Sequence, residues 1–157
     1  MKIPTDAIFR HEATIDIATS PETVYDLVAD VSRIGEWSTE AVGAEWLDGA
    51  TGKKGDWFRG HNVLGEDEWS RDCQMARADR GHDFTFVVGG VEDNCTWWSY
   101  EMEAIDSGTR LTERWWVVNL TEGFAAYTPE RRQQRADRTA IMLKTTIEAI
   151  KKAAESA

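Results

Sequence analysis

The sequence contains few of the residues that would tie a chain to a metal, a disulfide framework or a membrane. Its two cysteines, Cys73 and Cys95, have a spacing that fits neither a zinc site nor a set of disulfides, and its three histidines lie far apart. No run of about 18 apolar residues occurs, and Met1 to Arg10 lacks the apolar stretch of a signal peptide. We therefore expect reduced thiols, no metal, no cofactor, no membrane insertion and a cytoplasmic location.

Positive charge is also scarce. The chain has 18 Lys and Arg against 28 Asp and Glu, which gives a formal net charge of −10 at pH 7. Such a charge repels phosphate backbones, so we expect no nucleic-acid partner. A local basic cluster contains Arg131, Arg135 and Arg138, but at helical spacing these fall on the side opposite the apolar stripe. This pattern predicts a solvated helix face.

Alternating apolar and polar residues predict an antiparallel sheet. The predicted strands are Phe9–Ala18, Val42–Leu47, Asp56–Leu64, Glu68–Ala78, Asp83–Gly89, Cys95–Ala104 and Thr109–Val118. Short polar connections, such as residues 65–67, favour a meander over parallel crossovers. A chain of 157 residues, 41% of them hydrophobic, has the size of one ordinary domain, so we expect a single domain over residues 1–157.

Capping patterns predict the helices. Ser20-Pro21 begins a short helix, and a second short helical turn is expected from Ser32 to Trp37. Thr128-Pro129 opens the longest helix, which is expected to end near Ser156. Its apolar stripe is formed by Ala136, Ala140, Leu143, Ile147, Ile150 and Ala154. Because the first two of these are small, we expect open volume beneath the N-terminal half of this helix.

Four short motifs carry a family resemblance. They are Ser20-Pro-Glu-Thr-Val24 with Asp30 and Trp37, Gly60-His-Asn62, Trp98-Ser-Tyr-Glu-Met102, and Gly108-Thr-Arg-Leu-Thr-Glu113. In this order the chain resembles the START-like or Bet v 1-like superfamily, and more narrowly the bacterial polyketide cyclase/dehydrase-like (SRPBCC) family. The resemblance implies an α+β helix-grip fold, in which a seven-stranded antiparallel sheet wraps around a long C-terminal helix, with two short helices after strand 1. It also implies a cavity for an apolar ligand, but no single activity, because this scaffold hosts cyclases, lipid carriers and hormone receptors.

One acidic residue stands out in the predicted interior. Glu113 has the inward parity of Trp115, and a carboxylate among aromatic rings is costly unless it has a partner. The same parity turns Asn62, Arg71 and Tyr100 inward. Three interpretations stay open. In the first, Arg71 and Glu113 form an internal ion pair, or either of them reaches solvent at an end of the barrel; in the second they orient the polar head of a ligand, and the third is catalysis. In the third, Glu113 is a general base with a pKa raised by desolvation, and Tyr100 or Arg71 polarises a carbonyl oxygen.

We expect the cavity to bind a small hydrophobic or aromatic molecule, lipid-like or polyketide-like, and leave enzymatic activity open. The candidate ligand-binding residues are Asn62, Trp69, Arg71, Phe84, Phe86, Trp98, Tyr100, Glu113, Trp115, Arg132, Ala136 and Ala140. The segment Asn119–Thr128 is a candidate mobile lid.

Two other functions are the alternatives. The first is a polyketide cyclase or dehydrase that uses Glu113 as its base. The second is a protein-interaction domain, co-chaperone-like or toxin-like, with a filled interior and no ligand. It would rely on Trp97 and Trp116, which by parity point outward from adjacent strands. Two neighbouring exposed rings would form an apolar patch, which predicts a homodimer surface.

Overall fold

The computed structural model describes residues 2–157. Seven strands form one antiparallel sheet in the order β1-β7-β6-β5-β4-β3-β2. The strands are β1 (Phe9–Ile17), β2 (Ala41–Trp46), β3 (Trp57–Leu64), β4 (Asp67–Asp79), β5 (Asp83–Val88), β6 (Thr96–Ile105) and β7 (Gly108–Val117). The helices are α1 (Pro21–Ala29), a 3-10 helix (Val31–Glu36), α2 (Glu122–Ala125) and α3 (Pro129–Glu155). The α+β helix-grip fold expected from the sequence is confirmed.

Local side-chain chemistry fixes where the helices begin. The Ser20 hydroxyl accepts a hydrogen bond from the Thr23 backbone N–H, and Thr128 does the same for Arg131, each over 3.2 Å. In both helices the residue after the cap is a proline, which has no N–H to leave unpaired. The helix starts predicted from sequence are therefore those of the structure.

The turn between β6 and β7 depends on a glycine. Gly108 has a φ of 141°, and a Cβ at this position would lie 2.3 Å from the carbonyl oxygen of Ile17. Beside it, the Thr109 hydroxyl donates to the carbonyl of Thr19 over 2.7 Å. This close approach joins the β6–β7 hairpin to the end of β1 and sets the register of β7.

Helix α3 packs mainly on β1 and α1, with further contact to β7. The buried residues of the packed face are Ala136, Thr139, Leu143, Ile147, Ile150 and Ala154. Ala136 is 0% exposed and belongs to the main hydrophobic core. The expected open volume therefore does not lie beneath Ala136. Open volume beneath the N-terminal half of α3 lies against the neighbouring face of the helix, which carries Arg131, Gln134, Arg135 and Arg138. Within residues 2–157, no helix combines the length and the apolar composition needed to cross a membrane.

Trp97 and Trp116 do point to the outer side of the sheet, but they are buried there. They are 8% and 0% exposed, and their rings stack with centroids 5.5 Å apart and an interplanar angle of 9°. Ile3 and Ala7 of the N-terminal segment pack against this pair. The prediction of an exposed patch for a homodimer is therefore wrong, because parity gives the side of a sheet but not what lies over it.

Candidate functional site

A cavity of about 690 Å³ lies between the inner face of the sheet and helix α3. Its apolar lining consists of Ile34, Phe58, Leu64, Trp69, Phe86, Val88, Trp98, Trp115, Phe124, Tyr127 and Met142. The volume falls in the range of roughly 300–1,000 Å³ that is usual for small-molecule sites, which are also mainly apolar and aromatic. The cavity is therefore large enough for a small organic molecule.

Strand register builds the aromatic part of this wall. Phe86 on β5 pairs with Trp98 on β6, and Trp98 pairs with Trp115 on β7. The three rings form one row across the sheet, and the Trp98 and Trp115 centroids are 6.3 Å apart. His11 on β1 extends the row by stacking on Trp115, with centroids 6.0 Å apart.

The next row across the sheet places two polar side chains against the cavity. Tyr100 pairs with Glu113, and the two are 5% and 1% exposed. Burial raises the pKa of Glu113 to about 8, and the hydrogen bond with Tyr100 acts in the opposite direction. Burial and the neighbouring Glu113 raise the pKa of Tyr100 well above its usual value. At pH 7 the neutral acid form of Glu113 therefore predominates by about ten to one.

One oxygen of the Glu113 carboxyl group forms no hydrogen bond to the described residues. Within residues 2–157, Glu113 Oε2 is buried and has no hydrogen-bond partner. A buried polar group without a partner costs about 1–3 kcal/mol, so such groups are uncommon in folded proteins. Because Glu113 lines the cavity, this unpartnered oxygen belongs to a residue of the cavity wall.

Arg71 is not the partner of Glu113. Its side chain is exposed, and Nη1 donates to the carbonyl of Ser70 over 3.0 Å. Three strand spacings, about 14 Å, separate β4 from β7 in the sheet order. The expected internal ion pair is therefore wrong: parity turned both side chains to the same face but did not give their separation across the sheet.

A buried ion cluster that was not expected from the sequence lies on the cavity wall. Glu40, which is 5% exposed, accepts from Arg135 Nη2 over 3.0 Å and from Arg138 Nη2 over 3.4 Å. Arg131, Arg135 and Arg138 all line the cavity. Arg131 and the Arg138 side chain are exposed, as predicted for a solvated face, whereas Arg135 is half-buried and for it the prediction is wrong. The side of α3 that carries these arginines borders the cavity, beside the side that packs on β1. A single Glu before β2 gave no sequence signal of this cluster.

The structure brings most of the predicted site residues together. Those on the cavity wall are Asn62, Trp69, Arg71, Phe86, Trp98, Tyr100, Glu113 and Trp115. Whether they contact a ligand stays a prediction. Residues 2–157 hold no group of three or more His, Cys, Asp and Glu side chains placed to bind a metal.

Four predicted site residues lie outside the lining. Phe84 packs edge-on against Tyr25, with centroids 5.9 Å apart. Ala136 is buried in the packed face of α3, and Ala140 is half-buried outside the lining. Arg132 donates from Nη1 to the carbonyl of Tyr127 over 2.6 Å. This hydrogen bond ties Arg132 to the segment that precedes α3, so the side chain does not face the cavity.

The candidate lid, Asn119–Thr128, lies at the cavity and contains the short helix α2. Thr121 caps this helix by accepting from the Phe124 N–H over 3.2 Å. Phe124 and Tyr127 line the cavity, and Phe124 also packs edge-on against Phe9 with centroids 5.9 Å apart. The position of the segment agrees with a lid, and its mobility stays a prediction.

Comparison with known proteins relates this architecture to characterised folds. A search of curated protein sequences finds no match to the chain. The solution NMR structure of Cgl2372, a Polyketide_cyc-like protein from Corynebacterium glutamicum, is 28% identical with a TM-score of 0.61, over 93% of this chain and 88% of that one. The di-domain ARO/CYC StfQ from the steffimycin biosynthetic pathway is 9% identical with a TM-score of 0.74, over 96% of this chain and 52% of that one.

A third structure, Ara h 8.0201, is 15% identical with a TM-score of 0.62, over 94% of this chain and 98% of that one. At their low identities, StfQ and Ara h 8.0201 are evidence of a shared fold alone. The family model described as "Polyketide cyclase / dehydrase and lipid transport" matches residues 9–155. This match spans nearly the whole chain and confirms the resemblance found in its motifs. The chain belongs to the polyketide cyclase / dehydrase and lipid transport family.

Proposed function

We propose that this protein binds a small, mostly apolar molecule, lipid-like or polyketide-like, in the cavity beneath α3. The observation that carries the proposal is the buried, unpartnered Glu113 Oε2 on the wall of an aromatic cavity of about 690 Å³. A bound molecule would fill the volume and complete the hydrogen bonding of that oxygen.

The lining residues indicate which parts of a ligand should be polar and which apolar. Glu113 and Tyr100 provide hydrogen-bonding groups beside the aromatic rings of Trp98 and Trp115, and the neutral acid form of Glu113 carries a proton that it can donate. The ligand that fits best has an apolar or aromatic body beside Trp98 and Trp115, and one carbonyl or hydroxyl oxygen near Glu113. The family description, which includes lipid transport, supports the same class of ligand.

Two glycines on neighbouring strands offer a matched test. Gly60 lines the cavity, and the nearest atom to a Cβ there would be the Arg71 carbonyl oxygen at 4.0 Å. Gly43 on β2 lies outside the lining, and a Cβ there meets no atom of the described residues within 4 Å. Gly60→Phe should therefore fill the cavity, whereas Gly43→Phe should leave it open.

The probe is N-phenyl-1-naphthylamine, a neutral aromatic molecule whose fluorescence rises in apolar surroundings. We expect one probe molecule to bind per wild-type chain, at least tenfold weaker binding to Gly60→Phe, and unchanged binding to Gly43→Phe. Thermal unfolding of each variant shows that it is folded, and Gly60→Val is the milder substitution if Gly60→Phe is not. No binding to the wild type, or equal binding to both phenylalanine variants, would contradict the proposal.

A second candidate function, an aldol-type cyclisation, is favoured by the same carboxyl group. In such a step an enol carbon bonds to a carbonyl carbon, and the carbonyl oxygen must gain a proton. The acid form of Glu113 would donate that proton, and the proton lost by the enol hydroxyl would restore the acid. With a pKa of about 8, Glu113 suits the role of general acid at neutral pH better than the role of general base expected from the sequence.

Replacement of Glu113 separates the two candidates. Glu113→Gln keeps the shape of the side chain but cannot transfer a proton. A cyclase predicts that this variant binds the neutral probe as the wild type does and loses turnover of a poly-β-ketone substrate. Absence of turnover in the wild type would leave ligand binding as the function, and retained turnover in the variant would exclude Glu113 as the acid.

The protein-interaction alternative receives no support from its two structural expectations. It required a filled interior, but the structure has a cavity of about 690 Å³. It also relied on exposed Trp97 and Trp116, which are 8% and 0% exposed. Ligand binding therefore accounts for more of the observed structure.

A further inference from the structure

Two arginines at the cavity have no acidic partner. Arg71 donates from Nη1 to the Ser70 carbonyl, and the Arg131 guanidinium lies over the Tyr127 ring, 4.0 Å from its centroid. Within residues 2–157, neither forms an ion pair. Both line the cavity.

Most of the other arginines of the described residues do have an acidic partner. Acidic side chains outnumber basic ones by 28 to 18, so a carboxylate is seldom far from an arginine. The arginines that form ion pairs are Arg33, Arg59, Arg77, Arg80, Arg110, Arg114, Arg135 and Arg138. In the described part of the chain, Arg10 and Arg132 also lack an ion pair, but they lie outside the cavity lining. Arg71 and Arg131 are therefore the arginines that keep guanidinium donors available on the cavity wall.

The two side chains approach the cavity from different elements. Arg71 reaches from β4 toward α2, where its Nη2 would be 3.6 Å from a Cβ on Gly123. Arg131 stands in the first turn of α3 above Tyr127. Guanidinium groups bind carboxylate and phosphate oxygens through paired hydrogen bonds, so this arrangement suits an anionic group better than a neutral one.

Acidic residues limit where such a group could lie. Asp67 and Glu68, at the start of β4, also line the cavity and would repel an anion. On the inward face of β4, Trp69 stands between Asp67 and Arg71, because side chains alternate along a strand. The anion would therefore lie at the Arg71 and Arg131 side of the opening, away from the β3–β4 turn.

We propose that Arg71 and Arg131 hold an anionic oxygen group, a carboxylate or a phosphate, on the ligand of the cavity. The ligand is then an amphipathic acid whose apolar part lies among the aromatic rings. This inference rests on the proposed function and adds the chemical class of the ligand to it.

Three competitors that share one alkyl chain test the inference. Decanoate, decyl phosphate and 1-decanol each compete with bound N-phenyl-1-naphthylamine, so that only binding in the same cavity is recorded. For the wild type we expect both acids to displace the probe at about tenfold lower concentration than decanol. The acid that displaces the probe at the lower concentration identifies carboxylate or phosphate as the preferred group.

Substitutions test whether Arg71 and Arg131 cause the preference for acids over decanol. Arg71→Gln with Arg131→Gln should abolish the preference for acids and leave displacement by decanol within about twofold of the wild type. Lys144→Gln with Lys152→Gln removes the same charge from two exposed positions of α3 and should keep the preference.

Two results would overturn the inference. The first is equal displacement by decanol and by the acids in the wild type. The second is that all three competitors displace the probe from the double variant less well than from the wild type, and by the same factor. Either result leaves the proposed function standing as long as the neutral probe binds, whereas failure of that probe to bind the wild type contradicts the proposed function itself.

Discussion

Glu113 makes the stability of this protein depend on pH, in a direction that its raised pKa determines. The folded protein holds the Glu113 proton up to a pKa of about 8, whereas the unfolded chain releases it near the ordinary value of 4.5. Between these values the folded state binds more protons than the unfolded state, so the free energy of unfolding falls as pH rises. The loss is absent below about pH 4.5 and complete above about pH 8.

The size of this effect follows from the same two values. Each pH unit between 4.5 and 8 corresponds to about 1.36 kcal/mol, so the complete loss is about 5 kcal/mol, of which about 3 kcal/mol has occurred at pH 7. Glu113→Gln removes the titration and keeps the shape. We expect the variant to gain about 3 kcal/mol over the wild type between pH 4.5 and pH 7, and about 1 kcal/mol more by pH 9.

Urea unfolding of wild type and variant at about pH 5, 7 and 9 measures this difference. Any constant cost of placing an amide at the site cancels when the difference is compared between pH values. Glu103→Gln makes the same chemical change at an exposed position of β6 and is the control for the substitution itself. A difference for Glu113→Gln that is equal at pH 5 and pH 9 would refute the reasoning.

Two further substitutions test other parts of the structure. Glu40→Gln leaves Arg135 and Arg138 without their carboxylate and should lower the free energy of unfolding, measured in urea, by about 1–3 kcal/mol. The control Glu36→Gln breaks an exposed pair and should lower it by less than about 1 kcal/mol. Equal losses in the two variants would contradict a structural role for the cluster. Trp116→Ala removes a fully buried ring and should lower the free energy of unfolding by about 3–5 kcal/mol. Its sedimentation coefficient should equal that of the wild type, and dissociation of an oligomer in the variant would instead indicate an interface.

The strands, the helix starts and the family could be predicted from sequence because their signals are local. Alternation of side chains identified all seven strands, and Ser20 and Thr128 identified the helix starts through hydrogen bonds only three residues long. Parity also placed Glu113 correctly on the inner face, where it is 1% exposed. These features depend on neighbours in the chain and need no knowledge of the rest of the fold.

The errors concern relations between distant parts of the chain. Arg71 and Glu113 share a face, but three strand spacings separate them, and no local pattern encodes that distance. Trp116 faces outward, yet a segment more than a hundred residues earlier in the chain packs on it. Arg135 lies opposite the main apolar stripe of α3 and still faces inward, because its partner Glu40 is supplied by the chain before β2. In each case tertiary packing decided the environment of a correctly oriented side chain.

The indole N–H signals of the tryptophans test the central claim most directly, because these rings lie on both sides of the sheet. Trp69, Trp98 and Trp115 line the cavity, whereas Trp97 and Trp116 stack on the opposite face. When the neutral naphthylamine probe is added to isotopically labelled protein, the signals of the first three should shift and saturate at one probe molecule per chain, while those of the other two stay in place. Unchanged cavity signals, or equal shifts on both faces, would contradict ligand binding in the cavity.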